Sequence, residues 1–315
     1  MIEKPRVSLI ACGNLRPSSL PTGMATLPDF GSKSKDRHGA GRSPFRYPGG
    51  KAFIADALEE RIRATPTPIT AFAEAYAGGA GAAVELLARG AVDRIILNDF
   101  DRRVYAAWWA ILHRTTDFVQ RILSTPVDMD TWYACRTVVE NASGTSDMFD
   151  LGFAVFFLNR TNRSGVILGA GPIGGYNQTG KWLIDARFYR ETMVKRVNWL
   201  GERRSKIELS NRDGLEFLRS FSPERAKETF FFIDPPYVQA GAKLYMNAMS
   251  DQKHRDLATF LTEEDILPHW LVTYDDCQLI NEAYSTATIE QMPVRYSLHR
   301  KRTEHEVCVS RPHAA

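Results

Sequence analysis

The sequence has no apolar run long enough to cross a membrane, so we expect no membrane-spanning segment. It has only four cysteines, at positions 12, 135, 277 and 308, and no two of them lie at the spacing of a metal or redox motif. Scattered cysteines are typical of a reducing compartment, which predicts a cytoplasmic protein. The net charge is only +3, so any surface that binds a polyanion must be a local basic patch.

The composition is otherwise that of a globular protein, with 44% hydrophobic and 24% charged residues. A chain of 315 residues is long enough for one large domain or two modest ones. Residues 1–40 differ from the rest because they are rich in Ser, Pro, Gly and Lys. We predict a flexible N-terminal extension over these residues.

An apolar run at residues 230–233 is followed directly by Asp234, Pro235, Pro236 and Tyr237. The run predicts a buried parallel strand, and Pro235 ends it because proline cannot donate to a sheet. A carboxylate therefore follows the carboxyl end of a strand, where open α/β sheets bind ligands. The Asp234 side chain and the Pro235 carbonyl offer two acceptors beside an aromatic ring, which suits a flat ring with an exocyclic amino group. An ordinary strand-ending turn is the alternative interpretation.

A predicted strand at residues 69–74 leads into a turn that contains Gly78 and Gly79 and then into a predicted helix. This order is typical of the unit that opens a nucleotide-binding sheet. A second predicted strand ends at Asp99, where a carboxylate usually accepts ribose hydroxyls. Val84 replaces the last glycine of the dinucleotide pattern, so a ligand with ribose but without pyrophosphate fits better. S-adenosylmethionine is such a ligand.

Four motifs carry a resemblance to a known family. They are, in chain order, Arg46-Tyr47-Pro48-Gly49-Gly50-Lys51, Glu74-Ala75-Tyr76-Ala77-Gly78-Gly79, Asn98-Asp99 and Asp234-Pro235-Pro236-Tyr237. In these motifs the sequence resembles the DNA adenine-N6 methyltransferases of the alpha arrangement (Dam-like), over about residues 44–309. That family often has Pro-Phe where this chain has Ala75-Tyr76, and an aromatic residue where it has Gly214.

The resemblance implies a catalytic and a cofactor-binding set. Asp234, Pro235, Pro236 and Tyr237 would form the catalytic tetrapeptide. S-adenosyl-L-methionine would be held by Tyr47, Lys51, Glu74, Tyr76, Gly78, Gly79, Asp99, Asp213 and Asp234. Within that set Lys51 would lie near the cofactor carboxylate, Asp99 near the ribose and Asp213 near the adenine amino group.

Alternation of strands and helices lapses over residues 102–204, where we predict four helices and a long glycine-rich loop. A long loop inside a compact domain is usually functional, and its Arg, Lys, Asn and Gln side chains are those that meet phosphates and base edges. The family uses the corresponding loop to bind DNA. The predicted DNA-binding residues are Asn159, Arg160, Asn162, Arg163, Tyr176, Asn177, Gln178 and Lys181.

We therefore predict an α/β fold, a Rossmann-like seven-stranded methyltransferase sheet with an inserted, mainly helical target-recognition domain. The catalytic domain would comprise residues 41–114 and 205–315, and the inserted domain residues 115–204. The implied reaction transfers a methyl group from S-adenosyl-L-methionine to N6 of a flipped-out adenine in double-stranded DNA. We expect a nucleoid-associated protein without membrane or metal that is a monomer in solution, with transient dimerisation on DNA as the alternative.

Several other functions are consistent with parts of the pattern. An adenine in RNA or the N4 amino group of cytosine could be the acceptor, although cytosine enzymes more often carry Ser in place of Asp234. A non-catalytic DNA-binding relic of the family would have less need of an intact Asp234 and glycine turn. A nicotinamide dehydrogenase fits the glycine pattern poorly.

Overall fold

A computed structural model describes residues 43–46, 54–238, 249–294 and 304–311 of the chain. The predicted N-terminal extension, residues 1–40, lies outside these ranges. So do two of the predicted cofactor-binding residues, Tyr47 and Lys51. The other predicted site residues all lie within them.

Within the described ranges seven strands form one mixed sheet in the order β3-β2-β1-β4-β5-β7-β6. The strands are β1 Ala71–Glu74, β2 Arg94–Asn98, β3 Ile207–Ser210, β4 Thr229–Ile233, β5 Trp270–Asp275, β6 Thr288–Val294 and β7 Glu304–Ser310. Strands β1 to β5 pair in parallel, and β7 is antiparallel to both β5 and β6. The predicted seven-stranded, Rossmann-like sheet is confirmed, as is the parallel setting of the strand before Asp234.

Helices flank the sheet, and they include one after the glycine turn and several within residues 102–204, as predicted. They are α1 Ala55–Arg63, α2 Gly81–Arg89, α3 Arg102–His113, α4 Thr115–Ser124, α5 Met129–Glu140, α6 Met148–Thr161, α7 Arg190–Glu202, α8 Gly214–Arg219, α9 Pro223–Lys227, α10 Asp251–Glu263 and α11 Gln278–Ala283. The short helices α8 and α9 were not predicted, since one or two turns give too few apolar repeats to detect. None of the described helices is long and apolar enough to cross a bilayer.

The central strands β1 and β4 are buried along their whole length because they have neighbours on both edges and helices on both faces. Successive side chains of a strand point to opposite faces. Phe230 and Phe232 accordingly join one apolar cluster, and Phe231 and Ile233 join another. The polar residues that follow each strand are left at the carboxyl edge of the sheet.

Helices α3 to α7 lie in sequence between β2 and β3 and share one apolar cluster with the sheet. Trp108 of α3, Trp132 of α5 and Phe156 of α6 all belong to it and are almost completely buried. The boundaries at residues 115 and 204 remain a prediction, since the inserted helices and the cofactor half are packed on a common core.

Candidate active site

Asp234 directly follows β4, at the carboxyl edge of the sheet. The neighbouring strand β5 carries Thr273, which is fully buried and whose Oγ1 donates a hydrogen bond of 2.5 Å to Oδ1 of Asp234. The backbone N–H of Val238 donates to Oδ1 of Asp275 at 3.2 Å, which fastens the turn after Tyr237 to the end of β5. The carboxylate is therefore oriented by its neighbouring strand, and the Asp-Pro-Pro-Tyr turn is held at both ends.

Glu74 is the last residue of β1 and is only 4% exposed. Its Oε1 accepts a 2.8 Å hydrogen bond from the backbone N–H of Ala83, in the first turn of α2. Burial raises the pKa of Glu74 to about 8, and the nearby negative charges of Asp234 and Asp99 contribute to the rise. A cation or hydrogen-bond donor placed here would be strongly favoured, because it would relieve both effects.

Asp99 follows β2 and closes the glycine turn from the other side. Its Oδ2 accepts from the N–H of Gly78 at 2.8 Å and its Oδ1 from the N–H of Asp101 at 2.9 Å. Burial raises its pKa to about 7 despite these two bonds. Gly78 has a φ of +48°, so its N–H points at the carboxylate at little steric cost.

The glycine turn is also held from outside the cofactor motifs. Trp108 Nε1 donates to the Gly78 carbonyl at 2.9 Å, and Ser43 Oγ donates to the Gly79 carbonyl at 2.5 Å. Ala80, which precedes α2, adopts a left-handed conformation that a non-glycine residue rarely takes. Such strain persists only where the surroundings enforce it, and it is frequent at ligand sites.

Asp213 lies after β3 and caps α8, with Oδ1 accepting from the Leu215 N–H at 3.0 Å. Its Oδ2 forms an ion pair of 2.9 Å with Lys253 Nζ on α10. Burial opposes it, but the hydrogen bonds from Lys253 and from the backbone hold the pKa of Asp213 below its usual value. Asp213 is therefore charged and partly exposed, as an acceptor for an amino group should be.

The two departures from the family pattern meet in space. A Cβ added to Gly214 would lie only 2.4 Å from Cζ of Tyr76, so the tyrosine ring occupies the volume that a side chain at 214 would need. Tyr76 therefore places an aromatic ring against the residue that follows Asp213. Burial raises the pKa of the Tyr76 hydroxyl well above its usual value, which keeps the ring neutral.

The predicted DNA-binding set divides into buried and exposed residues. Asn159 is fully buried and clamps Arg46, accepting from its N–H at 2.8 Å and donating to its carbonyl at 2.6 Å. Asn162 is buried too, accepting from Trp132 Nε1 at 2.7 Å and donating to the carbonyl of Val166 at 2.8 Å. Both side chains are committed to holding the loop, so they are not available to bases in this structure.

Two more of the set are held by backbone carbonyls. Arg160 is 5% exposed and donates to the Arg187 carbonyl at 3.0 Å. Gln178 donates to the Gly175 carbonyl at 2.6 Å and accepts from the Ile184 N–H at 2.9 Å. These contacts stabilise the glycine-rich loop from within.

The remaining four residues of the set, Arg163, Tyr176, Asn177 and Lys181, are exposed. Tyr176 is 52% exposed while its ring edge packs against Trp132. The sequence reasoning missed Trp182, which is 63% exposed and lies 5.8 Å from Lys181 Nζ. A large aromatic residue beside a lysine in a polar loop is the signal that could have identified it.

The sequence reasoning also missed two residues of the candidate active site, because the residues around each of them gave no functional signal. Thr273 is a polar residue in an apolar strand, and Phe100 is an apolar residue directly after Asp99. Phe100 is 55% exposed and its ring centroid lies 5.9 Å from Lys253 Nζ. An exposed phenylalanine between Asp99 and Asp213 provides a surface on which a flat ring can stack. Among the described residues no group of three or more His, Cys, Asp or Glu side chains could hold a metal ion.

These features define an α/β protein whose sheet edge suits a ribose-bearing ligand with a positive charge, next to an oriented carboxylate. A sequence model described as "D12 class N6 adenine-specific DNA methyltransferase" matches residues 47–298, most of the chain. The chain belongs to this family, so it is an adenine-specific DNA methyltransferase for which S-adenosylmethionine is the usual methyl donor. No curated protein gives a significant match to the sequence.

Two solved structures that align with the chain are both of the rRNA methyltransferase AviRa from Streptomyces viridochromogenes, at 2.4 and 1.5 Å resolution. They are 12% and 14% identical, cover 84% of this chain and 86% of that chain, and align with a TM-score of 0.37. At this level of similarity we draw nothing from them about substrate.

Proposed function

We propose that the protein transfers a methyl group from S-adenosyl-L-methionine to N6 of an adenine flipped out of double-stranded DNA, at a specific sequence. The observation that supports it best is Asp234 at the carboxyl end of β4, oriented by Thr273 at 2.5 Å and sharing its edge with Glu74 and Asp99. The target atom of a paired base is out of reach, so the base must leave the stack.

In this mechanism Asp234 and the Pro235 carbonyl accept the two N–H bonds of the adenine amino group. The nitrogen lone pair would then point at the sulfonium methyl, and the C–N bond would form as the C–S bond breaks. The proton that the amino group loses would pass to the Asp234 carboxylate and from there to solvent. N6-methyladenine and S-adenosylhomocysteine are the products. Tyr237 would stack on the base, so that catalysis rests on positioning and electrostatic stabilisation.

For the cofactor we propose that Glu74 and the Gly78-Gly79 turn face the methionine part. Asp99 would accept from the ribose, and Asp213 from the adenine amino group. Tyr47 and Lys51 are proposed to complete the site by resemblance alone. Phe100 is an added candidate, because its exposed ring lies beside Asp99.

For DNA we propose contacts from the exposed Arg163, Tyr176, Asn177 and Lys181, with Trp182 added because of its exposure. Arg and Lys can contact phosphate or guanine, and Asn can read adenine. We also propose that the protein acts as a monomer in the cytoplasm, where bacterial or phage DNA is found. Residues 115–204 would serve as the target-recognition domain.

The decisive experiment incubates the purified protein with duplex DNA and S-adenosylmethionine and maps N6-methyladenine by methylation-sensitive sequencing. We expect methylation at one short motif, and a loss of about a thousandfold in Asp234→Ala, since two transition-state contacts depend on its position. Asp265→Ala removes an exposed carboxylate that pairs with Arg311 and should retain full activity. Full methyl transfer by folded Asp234→Ala, or transfer to RNA alone, would contradict the proposal.

A further inference from the structure

Four arginines lie together at the segment Ser43–Arg46, which leads into the predicted cofactor motif that begins at Arg46. We refer to Arg46, Arg160, Arg187 and Arg196 as the arginine cluster. Arg196 Nη1 donates to the Ser43 carbonyl at 2.8 Å, Arg160 Nη1 to the Pro44 carbonyl at 3.4 Å and Arg46 Nη1 to the Asn162 carbonyl at 3.4 Å. Arg160 also donates from Nε to the Arg187 carbonyl at 3.0 Å. Hydrogen bonds to separate backbone carbonyls hold three of the side chains near this segment, and the charge of Arg187 is close enough to act on Arg46 and Arg160.

No carboxylate among the described residues pairs with any member of the cluster. The side chains of the cluster donate to backbone carbonyls and, in the case of Arg187, to the Tyr189 hydroxyl at 3.3 Å. The chain pairs other arginines readily, since Arg89 alone contacts Asp56, Glu59 and Glu85. Four neighbouring cations that have no carboxylate partner in the described part of the chain are therefore a local exception.

The electrostatic cost of this arrangement lowers the pKa values of the arginines. Burial lowers the pKa of Arg160 to about 10, and the charges of Arg46 and Arg196 add to the effect. Burial also lowers the pKa of Arg46, with a further contribution from Arg187. Buried charges are normally paired, because an unpaired one is expensive to desolvate. An anion at the cluster would remove this penalty and would be held by charge-assisted hydrogen bonds.

The surroundings indicate which anion fits. The cluster is bounded by the proposed DNA-binding loop, since Asn159 clamps Arg46 and Arg187 ends a short helical turn after Trp182. Arg187 and Tyr189 are exposed, so the cluster opens to solvent on this side. On the other side Ser43 is bonded to the Gly79 carbonyl of the glycine turn. The cluster therefore lies between the proposed DNA-binding loop and the proposed methyl-donor site.

We propose that the arginine cluster binds a backbone phosphate of the DNA substrate close to the methylated base. This inference rests on the proposed function and assigns a phosphate site to it. Arginine guanidinium groups bind both phosphate and carboxylate through two parallel hydrogen bonds. The opening of the cluster to solvent at Arg187 and Tyr189, on the side of the proposed DNA-binding loop, is what favours a DNA phosphate. The carboxylate of the cofactor is the competing anion, and the experiment separates the two.

The test measures duplex DNA affinity as a function of salt concentration for the wild type, Arg187→Ala and Arg225→Ala. Arg187 is the exposed member of the cluster and its carbonyl, not its side chain, holds Arg160, so the variant should fold. We expect about tenfold weaker DNA binding and a salt dependence reduced by about one phosphate contact. Arg225 pairs with Glu208 and is the matched control, which should bind like the wild type.

The second arm measures binding of S-adenosylhomocysteine to the same variants. We expect no change in Arg187→Ala. An unchanged salt dependence and DNA affinity in folded Arg187→Ala would overturn the phosphate site, as would a loss confined to S-adenosylhomocysteine, which would assign the cluster to the cofactor carboxylate. The proposed function is judged separately by methyl transfer from the wild type, so DNA binding with the expected salt effect but without methylation would support the phosphate site alone.

Discussion

The carboxyl edge of the sheet and the loop after α6 both collect polar residues, but they hold them in opposite ways. At the sheet edge Glu74 and Asp99 are enclosed and fixed by backbone N–H groups, and burial raises the pKa of each. In the loop Tyr176 and Trp182 are more than half exposed. The first region is prepared for one small ligand, whereas the second presents a surface that a large partner can cover.

The largest effect on stability is expected for a buried asparagine of the loop, which tests whether the loop also contains residues with a purely structural role. Asn159→Ala removes three hydrogen bonds, which join its side chain to the N–H and carbonyl of Arg46 and to the carbonyl of Gly165. These three backbone groups would lose their partner. We expect the free energy of unfolding to fall by about 2–3 kcal/mol in chemical denaturation. Asn177→Ala, in the exposed part of the same loop, should change it by less than about 0.5 kcal/mol. Equal stabilities would show that Asn159 is not a structural residue.

A second change addresses the sheet edge. Asp99→Ala removes the acceptor for the N–H groups of Gly78 and Asp101 and the proposed partner of the ribose. We expect affinity for S-adenosylhomocysteine to fall about 10- to 100-fold, the worth of one or two hydrogen bonds to a charged group. Calorimetric titration measures it, with the exposed Asp93→Ala as control. An unaltered affinity would remove Asp99 from the site.

Whether the sequence could predict a feature depends on how far apart in the chain the interacting residues lie. The sheet follows from apolar runs such as residues 230–233, and the strand ends follow from Pro235 and Asp99, because these are local properties of the chain. The clamp of Asn159 on Arg46 spans 113 positions, and the contact of Gly214 with Tyr76 spans more than a hundred. Nothing local marks such contacts, so Asn159 looked like a residue for DNA although its side chain is buried.

The same limit explains why some residues of the site were not identified from the sequence. Thr273 reaches Asp234 only because β4 pairs with β5. The sequence of neither strand predicts which strand will be its neighbour in the sheet. The resemblance supplied the order of the motifs and their roles. It did not reveal that the ring of Tyr76 packs against Gly214, because that requires the packed structure.

The raised pKa values of the carboxyl groups at the sheet edge predict how stability depends on pH. Glu74 has a pKa of about 8 in the folded protein against an ordinary value of 4.5, so the folded state holds a proton that the unfolded state has lost. The contribution of this proton to the stability of the ligand-free protein should therefore be fully present below pH 4.5 and fall as the pH rises to about 8, by up to about 1.4 kcal/mol per pH unit. Glu74→Gln should flatten the decline, as measured by thermal unfolding at several pH values. A slope shared by wild type and variant would contradict the assignment.

Two exposed aromatic residues give the smallest expected effects and the sharpest separation of the two regions. Trp182, in the loop, is 63% exposed and Phe100, at the sheet edge, is 55% exposed. Trp182→Ala should weaken DNA binding about tenfold and leave S-adenosylhomocysteine binding unchanged, because stacking on a base is worth about 1–2 kcal/mol. Phe100→Ala should do the reverse, with a loss of about fivefold in cofactor affinity.

Neither substitution should alter the thermal unfolding temperature by more than about 2 °C, since both side chains project into solvent. Each variant is thus the control for the other in parallel titrations with DNA and with S-adenosylhomocysteine. If either variant weakened the binding of DNA and of S-adenosylhomocysteine equally, the two regions would act as one binding unit. Opposite losses would instead mean that DNA and the cofactor are held by separate surfaces that meet only at Asp234, where the adenine amino group must reach the methyl donor.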